Sequence, residues 1–239
     1  MAGKFDALVY HFHKVCRVST LEKFVAKPCK VGCSCMDEEC DNVYRKIECP
    51  STCKSCQNQH FRRQDRPATE VRAIGSKEQG LIATQFISKG SFILDFVGLV
   101  ITLEEAEHRK KRNEEKGLTS YMFRGGDFVI DSAHYGNKSR FINHLCDPNT
   151  IAEEWRLTGK PRNFRAIGFF ASKDIKAGDE VTLDYGDIYG PSIACRCGSN
   201  NCSGFIGRAK DGSQKKTQKR LAGNKVTPHT AKKVKTSIN

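Results

Sequence analysis

Apolar positions in this chain come in short runs rather than in helical periods. From Val71 onward, β-branched and aromatic residues cluster between glycines, and such runs predict strands over 92–97, 128–131, 165–171 and 180–185. Two of these follow similar turns, Ile87-Ser-Lys-Gly90 and Ile175-Lys-Ala-Gly178, a recurring solution too short to count as a repeat. One helix is predicted. Thr102 followed by Glu105 makes a capping box, and residues 103–116 are rich in Glu, Lys and Arg. Only Leu103 and Ala106 on it are apolar, so it is expected at the surface with its charged face in water.

Charge and cysteine content change this picture. The 239 residues carry a formal net charge of +13 and twelve cysteines. Residues 209–239 hold nine Lys/Arg against one acid, Asp211, so most of the positive charge belongs to that stretch. It has almost no large apolar residues to offset its chain entropy, and it is expected to be disordered. Lys215-Lys-Thr-Gln-Lys-Arg220 and Ala231-Lys-Lys-Val-Lys235 suit nuclear import or a grip on DNA phosphates. No apolar run reaches the ~18 residues of a membrane span. Lys4, Asp6, His11, His13 and Lys14 break up any signal-peptide core, so neither a membrane protein nor a secreted one is expected.

Without a secretory signal, clustered cysteines read as metal ligands rather than disulfides. The first group is Cys29, Cys33, Cys35, Cys40, Cys49, Cys53 and Cys56, dense enough to form a metal-nucleated module. Seven thiolates serve two tetrahedral zinc ions when one thiolate is shared. An all-thiolate set leaves no open position for water, so these ions are structural. Cys16 falls outside the pattern and is expected to be a free thiol. The second group, Cys195, Cys197 and Cys202, supplies three ligands. The remaining cysteine, Cys146, is the candidate fourth, with water or a histidine as the alternative.

Three further stretches identify a family. Arg140-Phe-Ile-Asn143-His144-Leu-Cys146-Asp-Pro148-Asn149, Gly168-Phe-Phe-Ala171 and Gly178-Asp-Glu180-Val-Thr-Leu-Asp184-Tyr185 resemble the SET-domain lysine methyltransferases. Cys195-Arg-Cys197-Gly-Ser-Asn-Asn-Cys202-Ser-Gly204-Phe-Ile-Gly207 is similar to their post-SET tail. The first cysteine group, ending Cys56-Gln-Asn-Gln-His-Phe61, resembles the AWS module that precedes SET in the branch methylating histone H3 at lysine-36. The lysine-9 branch, with its nine-cysteine cluster, matches less well.

The resemblance implies a mostly β fold with short helices (α+β), a SET-domain β-fold with a knot-like C-terminal segment between zinc-binding AWS and post-SET modules. It divides the chain into an N-terminal extension (1–24), an AWS module (25–66), a SET catalytic domain (67–190), a post-SET module (191–208) and the basic tail (209–239). The implied cofactors are S-adenosylmethionine and three zinc ions. The implied reaction is methylation of a lysine, H3 lysine-36 in nucleosomes, by a monomer of the nucleus and chromosome. Another histone or non-histone lysine is the enzymatic alternative, and a weak or inactive chromatin-binding scaffold is the non-enzymatic one.

By resemblance, Tyr185 and Tyr121 are the catalytic residues. Gln79, Gly80, Tyr121, Arg140, Phe141, Asn143 and His144 are those expected to bind the cofactor, with Gly80 in its first binding turn. Leu183 occupies a position that is usually Phe or Tyr in the family and that limits how many methyls the product holds. A leucine there is expected to permit di- or trimethylation. The loop over 186–194 is expected to cover the lysine channel. Other departures are Glu78-Gln79-Gly80 for Gly-Trp-Gly, Phe96 and Leu99 in the Glu-Tyr-x-Gly-Glu strand, and Leu145 in Asn-His-Ser-Cys. A residue with a Cβ at 78 is expected to strain the turn if φ is positive there.

Overall fold

The computed structural model describes residues 29, 40–53, 56–75, 77–157, 164–186 and 193–206, and the backbone of 11–12 and 225–226. In chain order the first elements are β1 (His11–Phe12), α1 (Asp41–Tyr44), α2 (His60–Arg63), β2 (Thr69–Ile74) and β3 (Lys77–Ala83). They are followed by β4 (Phe92–Asp95), β5 (Leu99–Ile101), α3 (Leu103–Glu115), β6 (Met122–Gly125) and β7 (Phe128–Asp131). After a 3-10 turn at Lys138–Phe141 come β8 (Asn143–His144), β9 (Thr150–Leu157), β10 (Phe164–Ala171) and β11 (Thr182–Leu183). Three short strands end the order: β12 (Ile193–Ala194), β13 (Phe205–Ile206) and β14 (Lys225–Val226). The fold is mostly β with short helices, the class read from the sequence. The chain forms two units.

One unit comprises Arg17–Phe96 and Asn137–Asp184. Its sheet runs β4-β10-β9-β11-β8. Strand β11, the last in sequence, therefore lies between β8 and β9, which follow one another along the chain, and it pairs in parallel with both. Strands β4 and β10 were legible because nearly every described side chain on them is buried, which gives unbroken apolar runs.

Strand β9 was not predicted. Glu153, Glu154 and Arg156 interrupt its apolar positions, yet Trp155 is 4% exposed and the strand pairs with β10 along its whole length. The glutamate is matched by partners, since Glu153 accepts from Lys46 Nζ at 2.9 Å and from the Trp155 indole at 3.0 Å.

The two similar glycine turns pair with each other. Ile87 and Ile175 exchange both backbone hydrogen bonds at 2.9 Å, and Gly90 and Gly178 take φ of 84° and 93° to turn the chain. Below the sheet, Phe61 packs on Phe92 with centroids 5.1 Å apart, and Trp155 stacks on Phe170 at 5.8 Å. His60 stacks on Phe92 at 5.5 Å, and burial lowers its pKa.

The other unit comprises Val97–Gly136 with the described parts of Met1–Cys16 and Tyr185–Asn239. Its sheet runs β1-β5-β7-β6-β14. Helix α3 is capped as predicted, with Thr102 Oγ1 accepting from Glu105 N at 3.2 Å. Its face is not wholly solvated: Ala106 is buried with Ile101, Met122 and Val129, and Arg109 reaches buried Asp131 on β7. Of the stretch 209–239, expected to be disordered, only 225–226 is described, paired antiparallel with β6. The basic motifs at 215–220 and 231–235, Cys16 and most of the 186–194 loop lie outside the described residues, as does most of the 1–24 extension.

Candidate functional site

The parallel pairing of β8 with β11 sets Asn143 opposite Thr182 and His144 opposite Leu183. The Leu145 N–H extends the ladder by donating to the Leu183 carbonyl at 3.0 Å. Residues 178–181 also pair with β3, since Gly178 N donates to Ala83 O at 2.8 Å and Val181 N to Leu81 O at 2.7 Å. Segments 79–83, 143–145 and 178–183 thus meet within one unit.

Asn143 is the side chain that ties them. Its Nδ2 donates to the Gln79 carbonyl at 2.8 Å and to Glu180 Oε1 at 2.7 Å. Asn149 fastens the same segment, donating to Glu180 O at 2.8 Å and accepting from Thr182 N at 2.9 Å. Sequence analysis singled out neither Glu180 nor Asn149 as a site residue. Both stand inside the motif stretches quoted above, among several other polar residues that hide them.

Gly80 lies within β3 rather than in a turn, which corrects the sequence expectation. Glu78 belongs to the same strand, so the proposed positive-φ strain does not arise. Space is tight at Gly80: a Cβ there would meet the ends of two side chains, colliding with Ile74 Cδ1 and lying 3.0 Å from Glu180 Oε1.

Arg140 and Phe141 sit on the 3-10 turn just before β8, with the Arg140 guanidinium 5.0 Å from the Phe141 ring centre. Asn137 caps that turn, accepting from Ser139 N at 3.1 Å, and donates to Asp95 O at 2.9 Å. His144 is buried, with Nε2 3.4 Å from Cys146 Sγ and Nδ1 3.8 Å from Asp184 Oδ1. Leu183 is 5% exposed.

In the other unit, Tyr121 precedes β6 and is held by its carbonyl, which accepts from Ser132 N at 2.7 Å. Tyr185 is buried, 7% exposed, directly after the β11 segment in sequence. Cys195, Cys197 and Cys202 lie in the connection between β12 and β13 with sulfurs within 4.8 Å of one another. The β12–β13 ribbon is closed by Cys195 N donating to Gly204 O at 2.9 Å, and Gly204 N points to Cys202 Sγ at 3.4 Å.

Five cysteines of the first group are described, and they pack together: Cys40, Cys49 and Cys56 buried, Cys29 and Cys53 against them. Cys33 and Cys35 lie outside the described residues. The sulfurs of Cys29, Cys49 and Cys56 come within 4.8 Å of one another, and no described cysteine is in a disulfide. Burial pushes the free Cys49 thiol up to about 11, against the pull of N–H donors from Asn42 at 3.3 Å and Asn58 at 3.2 Å. Thiols converging with amide donors aimed at sulfur are a donor set that could hold a metal ion. Asn58 also sends its backbone N–H to Cys56 Sγ at 3.3 Å. Its place two residues after Cys56 was the sequence signal for this role.

The comparisons agree with this geometry. Residues 78–186 match the SET domain. Over 189 residues the chain is 33% identical to histone-lysine N-methyltransferase ASHR3 of Arabidopsis thaliana, covering 74% of this chain and 36% of that protein. It is 37% identical over 190 residues to the H3 lysine-36 specific histone-lysine N-methyltransferase of Yarrowia lipolytica, covering 77% and 24%. The human protein of that same description is 34% identical over 207 residues, covering 80% and 8%. The chain thus spans about a third or less of the length of these relatives. Through residues 78–186, with strand β11 inserted between β8 and β9, the chain belongs to the SET-domain family.

Proposed function

We propose that the chain is an S-adenosylmethionine-dependent protein-lysine N-methyltransferase acting on histone H3 in nucleosomes, at lysine-36. The observation that carries this reading is the parallel pairing of Asn143–His144 with Thr182–Leu183, because it unites two motif segments 39 residues apart. The H3 lysine-36 specificity of the Yarrowia lipolytica and human relatives supports the substrate.

S-adenosylmethionine supplies an activated methyl group on a sulfonium. Gln79, Gly80, Tyr121, Arg140, Phe141, Asn143 and His144 are the residues that would hold it. They fit a ligand of this kind: Asn143 is half-buried with both amide hydrogens committed inside the protein, leaving its oxygen as an acceptor. The lysine must arrive neutral, although its ordinary pKa is about 10.4. Removal from water beside a cation disfavours the ammonium, so its proton leaves to solvent without a dedicated base. The role of Tyr185 is to orient the amine through its hydroxyl, with Tyr121 lining the channel. Alignment in a fixed geometry then lowers the barrier.

The cysteines form structural zinc sites in this reading. Cys29, Cys33, Cys35, Cys40, Cys49, Cys53 and Cys56 hold two ions, and Cys195, Cys197 and Cys202 hold a third with Cys146 as fourth ligand. The domain division given above, a nuclear and chromosomal location, a monomeric state and DNA contact through the basic tail belong to the same proposal. Among the described residues no helix is long and apolar enough to cross a membrane.

The test is methyl transfer to recombinant nucleosomes, mapped by mass spectrometry, with Tyr185→Phe alongside. Methyl on H3 lysine-36, lost in the variant, supports the proposal. Methyl on another residue removes the substrate but keeps the enzyme. No transfer and no cofactor binding by folded, zinc-loaded protein overturns the enzymatic reading.

A further inference from the structure

We infer that Glu180 is a positioning residue for the cofactor, acting through the side chain of Asn143. The inference rests on the proposed cofactor reading and assigns a role that the motif comparison leaves blank.

An asparagine amide can face either way, and its two ends are nearly isosteric. Here the neighbours decide. The amide nitrogen of Asn143 lies 2.8 Å from a carbonyl oxygen and 2.7 Å from a carboxylate oxygen, and both accept only. The flipped amide would set oxygen against two oxygens. Glu180 therefore locks the orientation, and a charge-assisted bond of this kind holds more firmly than a neutral one. With both hydrogens spent, Asn143 offers a ligand an acceptor and nothing else. Without Glu180 the Gln79 carbonyl alone would resist the flip.

Three features keep Glu180 in place. Its residue bridges antiparallel to Ile82, Asn149 Nδ2 donates to its carbonyl at 2.8 Å, and Gly80 leaves room for its carboxylate. A Cβ at residue 80 would stand 3.0 Å from Oε1. The tight space beside residue 80 and the amide lock at 143 thus meet at one carboxylate.

The test is S-adenosylmethionine affinity by calorimetry on the full zinc-loaded chain, for wild type, Glu180→Ala, Glu180→Gln, Asn143→Ala and the double variant Glu180→Ala/Asn143→Ala. Glu180→Ala is expected to weaken binding about tenfold, the worth of one hydrogen bond to a charged group. Glu180→Gln, which can still accept from Asn143, is expected to stay within about threefold of wild type. In the Asn143→Ala background, Glu180→Ala should have no further effect, because the coupling runs through the amide. Equal losses in both backgrounds, or wild-type affinity in folded Glu180→Ala, would overturn the inference. Should Glu180→Ala not fold, Glu180→Met replaces it, and the same comparison decides. Failure of the wild type to bind the cofactor sinks the underlying reading instead, so the two failures are told apart.

Discussion

Arg109 on α3, partly exposed, pairs with buried Asp131 on β7, Nη1 to Oδ2 at 2.9 Å, with the aspartate 4% exposed. Burial works to lower the Arg109 pKa, but the hydrogen bonds it donates to Glu105 and Asp131 outweigh that and hold the group above its ordinary value. The pair clamps the helix to the strand beside Ser132, whose N–H holds the Tyr121 carbonyl. Removing one partner of such a pair strands a charge in a low-dielectric site. Arg109→Met is expected to lower stability by about 3 kcal/mol. Adding Asp131→Asn should restore much of that loss. Denaturant unfolding of the single and double variants checks both, and a loss below about 1 kcal/mol would show the pair to behave like a surface bridge.

Gly168 faces three rings. A Cβ there would lie 2.8 Å from Phe61 Cζ, 3.0 Å from Phe170 Cε2 and 3.2 Å from Phe92 Cε2. Rings packed on one another cannot withdraw like the end of a lysine. Gly168→Ala is expected to destabilise the fold by about 1–3 kcal/mol, the cost of overpacking a filled core. The thermal midpoint of the purified variant measures it, and an unchanged midpoint refutes the packing argument.

The same contrast explains what was legible in the sequence. Strands β4, β7 and β10 announce themselves because burial makes their runs continuously apolar. Strand β9 hides because Glu153 is neutralised by Lys46, 107 residues away. Arg109 looked like one more solvated charge on α3 because its partner lies 22 positions off. Gly80 was recognised as important, but for turning rather than for the space taken by Ile74 and Glu180. Local chemistry is written in spacing. Pairings between distant residues are written only in the fold.

Asn58 is 1% exposed and sends N–H groups to two cysteine sulfurs, Cys49 and Cys56. Such donors disperse thiolate charge and fix ligand orientation around a bound metal. Asn58→Ala is expected to speed zinc transfer to a chromogenic chelator by about 10–100-fold. Zinc content per chain before chelation should remain that of the wild type. Release at the wild-type rate would leave Asn58 with a packing role only.

His60 stacks on Phe92 and meets Trp155 and Phe170 edge-on, and desolvation lowers its pKa from 6.5, with nearby Arg63 adding to the shift and Asp65 opposing it. The folded state then binds a proton less readily than the unfolded chain. Its contribution to stability is complete above about pH 6.5 and is lost as pH falls below that value through the folded pKa. His60→Phe keeps the stacking and removes the titration. The midpoint difference between wild type and variant, at fixed zinc, should widen in favour of the variant from pH 7 to pH 5. A constant difference across that window counts against the argument.

Leu183 is buried at the end of the inserted strand, opposite His144 on one side and Thr150 on the other. Its backbone is committed to the ladder, so the side chain can change without undoing the pairing. Under the proposed function, residue 183 limits how many methyls the product holds, and leucine is smaller than Tyr and lacks its hydroxyl. Leu183→Tyr fills that volume. On nucleosomes the variant is expected to shift product from di- and trimethyl-lysine toward monomethyl-lysine, while its first methyl transfer continues. Leu183→Phe, which fills space without adding a hydroxyl, separates the two effects: a matching shift assigns control to volume, and no shift assigns it to the hydroxyl. An unchanged product distribution in both variants, read by mass spectrometry at equal folded protein, would show that Leu183 does not set the methyl count.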